Sequence, residues 1–132
     1  MITPYDPPLW TALGMTLHGD LDIEGAAELR RRLPVLLARH RPLHVNLDLA
    51  HVRFLDCSGA RTLKWLDRCM RDSGGTLTIV RPSPRVLRLL RVLEFDRRLR
   101  ISQEDRRDDV PPESWRTIRL SSLRVVRDPS LN

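Results

Sequence analysis

An α/β fold is predicted by this sequence, with helices packed against a mixed β-sheet of about four strands. Three observations support it. Stretches with a strand-like apolar pattern alternate with stretches whose apolar residues recur at helical spacing. This alternation runs from residue 10 to residue 102, and glycine, proline and aspartate separate the stretches. Such a pattern is typical of helices layered on a sheet, and it predicts parallel pairing wherever a helix joins two strands.

The first strand and the first helix are predicted at residues 10–18 and 23–39. Partial apolar alternation indicates the strand, and Asp22 is a suitable N-cap for the helix. Four leucines give this helix one apolar face: Leu29, Leu33, Leu36 and Leu37. Pro34 lies inside it and removes a backbone hydrogen bond, which costs about 3 kcal/mol in a straight helix. We therefore expect a kink or a break near residues 31–33.

The later elements continue the alternation. Residues 43–49 alternate between apolar and polar side chains and are predicted to form a strand. A second helix is predicted from residue 58 to residue 71, where a pair of glycines follows it. Three further elements are a buried strand at 76–80, a helix at 84–93 begun by Ser83 and Pro84, and a short strand at 99–101.

One domain is expected for a chain of 132 residues. Residues 1–9 contain three prolines and are predicted to form an extended arm, and residues 10–102 hold the alternating elements. Residues 103–132 are predicted to be a linker and a C-terminal tail, because a charged run followed by two prolines begins there. Within that tail, residues 115–126 regain apolar side chains, and a strand, a docked helix and disorder all stay open.

The composition excludes several classes of protein. No apolar stretch approaches the ~20 residues of a membrane-spanning helix. Residues 1–8 lack the features of a signal peptide, so we expect a cytoplasmic protein. No spacing of histidine and cysteine matches a zinc site, and we expect neither a metal nor a cofactor. Cys57 and Cys69 fall on or beside the same predicted helix, about three turns apart, which is too far for a disulfide within it. The net charge is +6, but aromatic residues make up only 5%, so nucleic-acid binding is weakly supported.

The most informative segment is the hexapeptide 54–59, which reads Phe-Leu-Asp-Cys-Ser-Gly. It ends a predicted strand and begins a predicted helix. The first free N–H groups of the helix and the positive end of its dipole are therefore exposed beside Asp56, Cys57 and Ser58. Such a joint suits a phosphate group or a carboxylate of a partner.

Two motifs resemble those of the STAS domain, which is shared by sulfate-transporter tails and anti-sigma factor antagonists. Residues 19–22 read Gly-Asp-Leu-Asp, similar to the family's Gly-x-Leu-Asp turn. Residues 48–59 read Asp-Leu-Ala-His-Val-Arg-Phe-Leu-Asp-Cys-Ser-Gly, similar to the family's Asp-Leu-Ser-x-Val-x-Phe-x-Asp-Ser-Ser-Gly. The resemblance covers residues 13–101 and implies a STAS-like fold.

In the antagonist branch, the resemblance implies partner switching in bacterial transcription. The unmodified protein binds an anti-sigma factor that is also a serine kinase of the histidine-kinase-like ATPase type. That kinase then phosphorylates the serine directly after the motif's aspartate, and the complex dissociates. Cys57 stands at this position here. Three possibilities follow: phosphorylation of Ser58, binding without phosphate control, and redox sensing by Cys57.

The resemblance also implies where the partner binds, namely at the turn before the first helix and at the exposed start of the second. The expected residues are Asp20, Asp22, Asp56, Cys57, Ser58, Gly59, Ala60, Arg61 and Lys64. The alternative function is a STAS accessory subunit of a transporter ATPase or a stress-signalling scaffold. A third is nucleic-acid binding through the basic outer faces of the second and third helices, which carry Arg61, Lys64, Arg68, Arg71, Arg85, Arg88 and Arg91. An enzyme is not expected, because the sequence has neither a Gly-x-Ser-x-Gly elbow nor a glycine-rich phosphate loop.

Overall fold

A five-stranded parallel β-sheet forms the centre of the protein. The computed structural model describes residues 12–104 and 107–120. The strands in this part of the chain are β1 (Ala12–His18), β2 (His44–His51), β3 (Thr76–Val80), β4 (Arg100–Ser102) and β5 (Trp115–Arg119). They stand in the order β4-β3-β2-β1-β5, and each described pairing of neighbours is parallel.

Three α-helices connect the first four strands: α1 (Ile23–His40), α2 (Cys57–Asp72) and α3 (Pro84–Val92). Each helix begins after a side chain that accepts a hydrogen bond from an amide of its first turn. These bonds run from Gly25 to Asp22 at 2.9 Å, from Gly59 to Asp56 at 3.0 Å and from Val86 to Ser83 at 3.2 Å. They satisfy amides that have no partner inside the helix, so each cap stabilises its helix by about 1 kcal/mol.

The predicted α/β class is confirmed, with two corrections to the sheet. Across the described residues the sheet is parallel rather than mixed, because a helix returns the chain to the same end of the sheet between consecutive strands from β1 to β4. It also has five strands instead of about four. The additional strand, β5, comes from the segment for which a strand, a docked helix and disorder had all stayed open.

The predicted break of the first helix at Pro34 is wrong. Helix α1 continues through Pro34 from Ile23 to His40. Pro34 and Arg30, whose carbonyl loses its helical hydrogen bond, both lie on exposed positions, where water can replace the missing donor. On the other side of the helix Leu29 and Leu33 are fully buried, and their packing holds the two halves on one axis.

The hydrophobic core covers both faces of the sheet. Five consecutive residues of β2, from 45 to 49, are buried, and successive residues of a strand point to opposite faces. The largest fully buried side chains come from strands and helices alike and include Leu13, Met15, Leu17, Leu29, Leu33, Leu47, Leu49, Leu63, Leu66 and Ile79. Each leucine buried in this way contributes about 1.5–3 kcal/mol.

Strand β5 covers the edge of the sheet beside β1. Gly14 is paired with Trp115, and a Cβ atom at Gly14 would overlap the indole ring of Trp115. The absence of a side chain at Gly14 is what lets this ring lie flat against the neighbouring strand. The segment after residue 102, expected to be a linker and a tail, therefore contributes a strand to the sheet. The predicted arm at residues 1–9 and the tail from residue 121 lie outside the described residues.

A buried carboxylate links the sheet to the segment that precedes β5. Asp48 has no exposed surface, and its side chain accepts hydrogen bonds from the Ala50 amide at 2.9 Å and from the Arg81 guanidinium at 2.5 Å. The guanidinium of Arg107 lies 3.4 Å from the same carboxylate. Arg107 also stacks on Trp115, 4.4 Å from the ring centroid. Asp48 is thus bound on two sides by arginines that lie far apart in the sequence.

None of the helices in the described residues combines the length and the apolar character needed to cross a bilayer.

Candidate docking site

The turn before α1 and the joint before α2 lie side by side at the carboxyl end of the sheet. The Leu21 amide donates to the Phe54 carbonyl at 2.9 Å, and the Asp56 amide donates to the Leu21 carbonyl at 3.4 Å. Leu21 and Leu55 form an isolated parallel bridge between these bonds. The two motifs that the sequence analysis singled out are therefore joined by their backbones into one structure.

Both helix starts use the same local chemistry. Asp22 and Asp56 have extended backbones, and each carboxylate accepts from the amide of a glycine three residues later. A carboxylate at this position also interacts favourably with the positive end of the helix dipole, by about 0.3–1 kcal/mol. Asp56 therefore stabilises the turn, whether or not a partner also contacts it.

Gly59 is buried and lets the two turns approach each other. A Cβ atom at this position would overlap the Leu21 carbonyl oxygen and would lie 2.7 Å from Cδ1 of Leu55. Ala60 is also buried, with no exposed surface. The expected contact through Ala60 is therefore wrong for its side chain, which packs in the core, and Gly59 acts by permitting close packing.

The remaining predicted residues divide into two groups. Cys57 and Arg61 are exposed, and Asp20, Asp22, Asp56 and Ser58 are half-buried, around the start of α2. Lys64 lies further along the helix, and its Nζ atom is 5.1 Å from the ring centroid of Phe95, which follows α3. This contact directs the ammonium group of Lys64 towards Phe95, so Lys64 belongs to a neighbouring surface.

The sequence analysis did not identify Ile23 as an exposed residue at this site. Ile23 is the first residue of α1, directly after Asp22, and 70% of its surface is exposed. The helical spacing of α1 does not place Ile23 on the apolar face formed by Leu29 and Leu33, and this could have predicted its exposure from the sequence. We call the set Asp20, Asp22, Ile23, Asp56, Cys57, Ser58 and Arg61 the corner surface.

Comparison with known proteins identifies the family. A family model described as "Mlab, STAS domain" matches residues 11–101 of the chain. The chain belongs to the STAS family. The match covers both motifs of the corner surface, and it confirms the resemblance inferred from residues 19–22 and 48–59.

Two solved structures share the fold of this STAS domain. One is the structure of the anti-sigma factor antagonist SpoIIAA in its unphosphorylated form, with a TM-score of 0.59 and 16% sequence identity over 83% of this chain and 89% of that chain. The other is the structure of the Bacillus cell fate determinant SpoIIAA in the phosphorylated form. It has a TM-score of 0.58 and 16% identity over 83% of this chain and 93% of that chain.

Two histidines that are far apart in the sequence meet beside the corner surface of this STAS domain. The rings of His18 and His51 stack with centroids 4.3 Å apart and planes inclined by 9°. Partial burial lowers the pKa of His18 below its ordinary value of 6.5, and the positive charges of His51 and Arg119 lower it further, while Asp48 opposes them. This pair occupies the ends of β1 and β2: His18 directly precedes the motif at residues 19–22, and His51 lies within the motif at residues 48–59.

The thiols of the STAS domain occupy different environments at the two ends of α2. Cys57 is exposed, Cys69 is partly buried, and both are free. Across the described residues, no group of three or more histidine, cysteine, aspartate or glutamate side chains is arranged to hold a metal ion. The corner surface offers the carboxylates of three aspartates, the Cys57 thiol, the Ser58 hydroxyl, the Arg61 guanidinium and the amides of two helix starts.

Proposed function

We propose that this STAS domain is a non-enzymatic binding module that acts as an anti-sigma factor antagonist in the cytoplasm of a bacterium. Its partner is an anti-sigma factor that is also a serine kinase of the histidine-kinase-like ATPase type. The shared fold of SpoIIAA, which is described as an anti-sigma factor antagonist, supports this function. The observation that carries the proposal is the placement of Cys57 and Ser58 on the first two positions of α2, beside the turn before α1.

The corner surface has the features of a protein-binding patch. Ile23 offers an exposed apolar side chain, and Asp20, Asp22 and Arg61 supply charges around it. An apolar anchor within a polar rim is the common arrangement of a protein interface. The backbone bonds between the two turns keep these groups in fixed relative positions, which lowers the entropy lost when a partner binds.

Cys57 removes the usual means of switching this surface. Cysteine has no hydroxyl for a serine kinase, so binding at the position after Asp56 is independent of phosphate. Ser58 is the remaining candidate for phosphorylation. A phosphoryl group there would add about −1.5 to −2 charges to a surface that already holds the carboxylates of Asp20, Asp22 and Asp56. The α2 dipole tolerates that charge, so the folded domain persists, while the docked surface loses affinity because the charge must be desolvated or repelled.

Charge reversal at Arg61 tests whether the corner surface binds the partner. Arg61→Glu should weaken binding to a purified anti-sigma kinase by about tenfold or more, since like charges across an interface are unfavourable. Arg68→Glu is the matched control, because Arg68 is exposed two turns later on the same helix. Titration calorimetry measures both variants. Equal affinities for the two variants would place the interface elsewhere.

A phosphorylation assay distinguishes phosphorylation of Ser58 from binding without phosphate control. The wild-type protein and the variants Cys57→Ser and Ser58→Ala are incubated with the kinase and ATP, and intact mass is measured. If the wild-type protein gains a phosphate and the Ser58→Ala variant does not, Ser58 is the phosphorylated residue. An unmodified wild-type protein that binds tightly supports constitutive binding, and Cys57→Ser should then accept a phosphate. A Cys57→Ser variant that binds the kinase but stays unmodified contradicts the assignment of position 57.

The matched family model favours a second candidate, because its description names Mlab rather than an antagonist. In this reading the STAS domain is an accessory subunit of a transporter ATPase, and the same corner surface contacts that ATPase. Affinity purification with the wild-type protein and with Arg61→Glu separates the two. Selective loss of a transporter ATPase supports the accessory subunit, and selective loss of a histidine-kinase-like protein supports the antagonist.

A further inference from the structure

An apolar groove lies between α1 and α2 at the end of the domain opposite the corner surface. Its volume is about 470 Å³, and its lining includes Leu37, Leu43, Trp65, Leu66, Cys69 and Met70. Pockets of roughly 300–1,000 Å³ with mostly apolar walls are typical of sites for small molecules. The groove shares no residue with the corner surface, so its occupant is independent of the proposed antagonist function.

The groove is held open by local structure on both sides. Helix α1 ends at His40 and is capped by Arg41, which has a left-handed backbone with φ of 46°, and the chain then turns towards β2. Leu43 follows that turn and remains 48% exposed at the mouth of the groove. On the opposite wall, the Arg30 guanidinium lies 5.2 Å from the Trp65 ring centroid, and its Nε atom donates to Thr62 Oγ1 at 3.0 Å. Trp65 is therefore fixed by a contact outside the groove.

One cation completes the lining. Arg41 is the charged residue among those around the groove, and among the described residues no carboxylate lies within ion-pair distance of it. Ser73 also lines the groove, but its hydroxyl donates to the Cys69 carbonyl at 2.8 Å. An occupant matched to this arrangement has an apolar body and a single anionic group at one end.

We propose that the groove binds an amphiphilic monocarboxylate of medium chain length, with the chain between α1 and α2 and the carboxylate at Arg41. The apolar body removes Leu37, Leu43 and Trp65 from water, which is favourable in proportion to the area buried. The carboxylate supplies the acceptor that the Arg41 guanidinium lacks among the described residues. The groove has the volume of a small-molecule site and one arginine in its lining, so it suits a ligand with one negative charge better than a partner that carries many.

The two thiols of α2 provide the test, because Cys69 lines the groove and Cys57 lies at the other end of the helix. The full chain is alkylated with iodoacetamide with and without sodium decanoate, below the concentration at which decanoate forms micelles. Peptide mass spectrometry then gives the alkylation rate of each cysteine. Saturating decanoate should slow Cys69 by at least about fivefold, because a chain that lies in the groove covers the thiol that lines it. The rate of Cys57 should stay the same.

Two pairs of variants test the geometry. Ala38→Trp places a ring in the groove from an exposed position and should abolish protection of Cys69, whereas Val92→Trp adds the same ring to the exposed face of α3 and should not. Arg41→Gln should weaken decanoate binding by about fivefold, the effect of losing a partly exposed charge pair. Arg39→Gln is its control. Thermal unfolding shows whether each variant is folded.

Several outcomes would overturn the proposal. Unchanged alkylation of Cys69 at every decanoate concentration would exclude the ligand class. Equal protection by decanol would remove the role of the carboxylate and of Arg41. Protection that rises with protein concentration in the absence of decanoate would assign the groove to a second copy of this chain. None of these experiments uses the anti-sigma kinase, so a failure of the groove proposal would leave the proposed antagonist function unaffected.

Discussion

The carboxylate of Asp48, which has no exposed surface, accepts a hydrogen bond from the guanidinium of Arg81 at 2.5 Å. Asp48 lies in the central strand β2, and Arg81 directly follows the neighbouring strand β3. A charge buried in this way is tolerated because it is paired and hydrogen-bonded. The pair therefore carries a structural role that the sequence analysis did not assign to either residue.

Neutralising Asp48 should destabilise the domain. Asp48→Asn keeps the shape of the side chain but removes the charge that two arginines share, and we expect a loss of about 2–3 kcal/mol. Chemical denaturation measures the free energy of unfolding. Arg107→Gln should cost less than about 1 kcal/mol, because Arg107 lies 3.4 Å from the carboxylate and is partly exposed. A larger effect for Arg107→Gln than for Asp48→Asn would contradict this ranking.

A methyl group at position 59 should disrupt the contact between the two motifs. Gly59→Ala puts a Cβ atom against the Leu21 carbonyl, and we expect a loss of about 1–3 kcal/mol, the usual cost of overpacking. Ser58→Ala changes the adjacent residue without this overlap and should alter stability by about 0.5 kcal/mol or less. Thermal unfolding compares the two variants. Wild-type stability in Gly59→Ala would mean that the turns can separate freely.

Acid should destabilise the domain partly through His18. Its pKa is lowered in the folded state, so the unfolded chain binds a proton at a higher pH than the folded chain does. The contribution of neutral His18 to the free energy of unfolding is fully present above the ordinary pKa of 6.5. It is lost as the pH falls below 6.5 towards the lower pKa of the folded state. Unfolding free energies at several pH values should fall more steeply for the wild type than for His18→Gln. Identical slopes, or an NMR titration of the His18 ring at or above 6.5, would refute this.

Removing the Trp115 ring should loosen β5. The ring contacts Gly14 and Arg107, and its Nε1 atom donates to the Arg107 carbonyl at 3.2 Å. Trp115 is only partly buried, so we expect Trp115→Ala to cost about 2–3 kcal/mol, below the range for a core tryptophan. Thr117→Ala, an exposed position on the same strand, is the control. Hydrogen exchange should show faster exchange of β5 amides in Trp115→Ala, and unchanged protection would show that the strand docks without the ring.

The parts of the fold that depend on neighbours in sequence could be predicted. The caps at Asp22 and Ser83 follow from a side chain bonding an amide three residues away, and the leucine face of α1 follows from helical spacing. The joint at residues 54–59 could be placed for the same reason, because a strand pattern changes to a helix pattern there. The family motif then added the expected site.

The parts that depend on distant contacts could not be predicted. Strand β5 has three polar residues among its five, and its position depends on Gly14, which lies near the other end of the chain. The stacking of His18 on His51 depends on the parallel register of β1 and β2. Burial of Ala60 and the contact of Lys64 with Phe95 depend on how α2 is rotated against the sheet and α3. These features arise only once the layers have packed.

The hydrogen bonds between Leu21 and the segment 54–56 couple partner binding at the start of α1 to modification at the start of α2. A partner that touches α1 and a modification that alters the start of α2 act on one rigid unit. Any displacement at one helix tip must therefore be transmitted to the other or break these bonds. Two short segments that are separated in the sequence by a whole helix and strand are thus expected to move together.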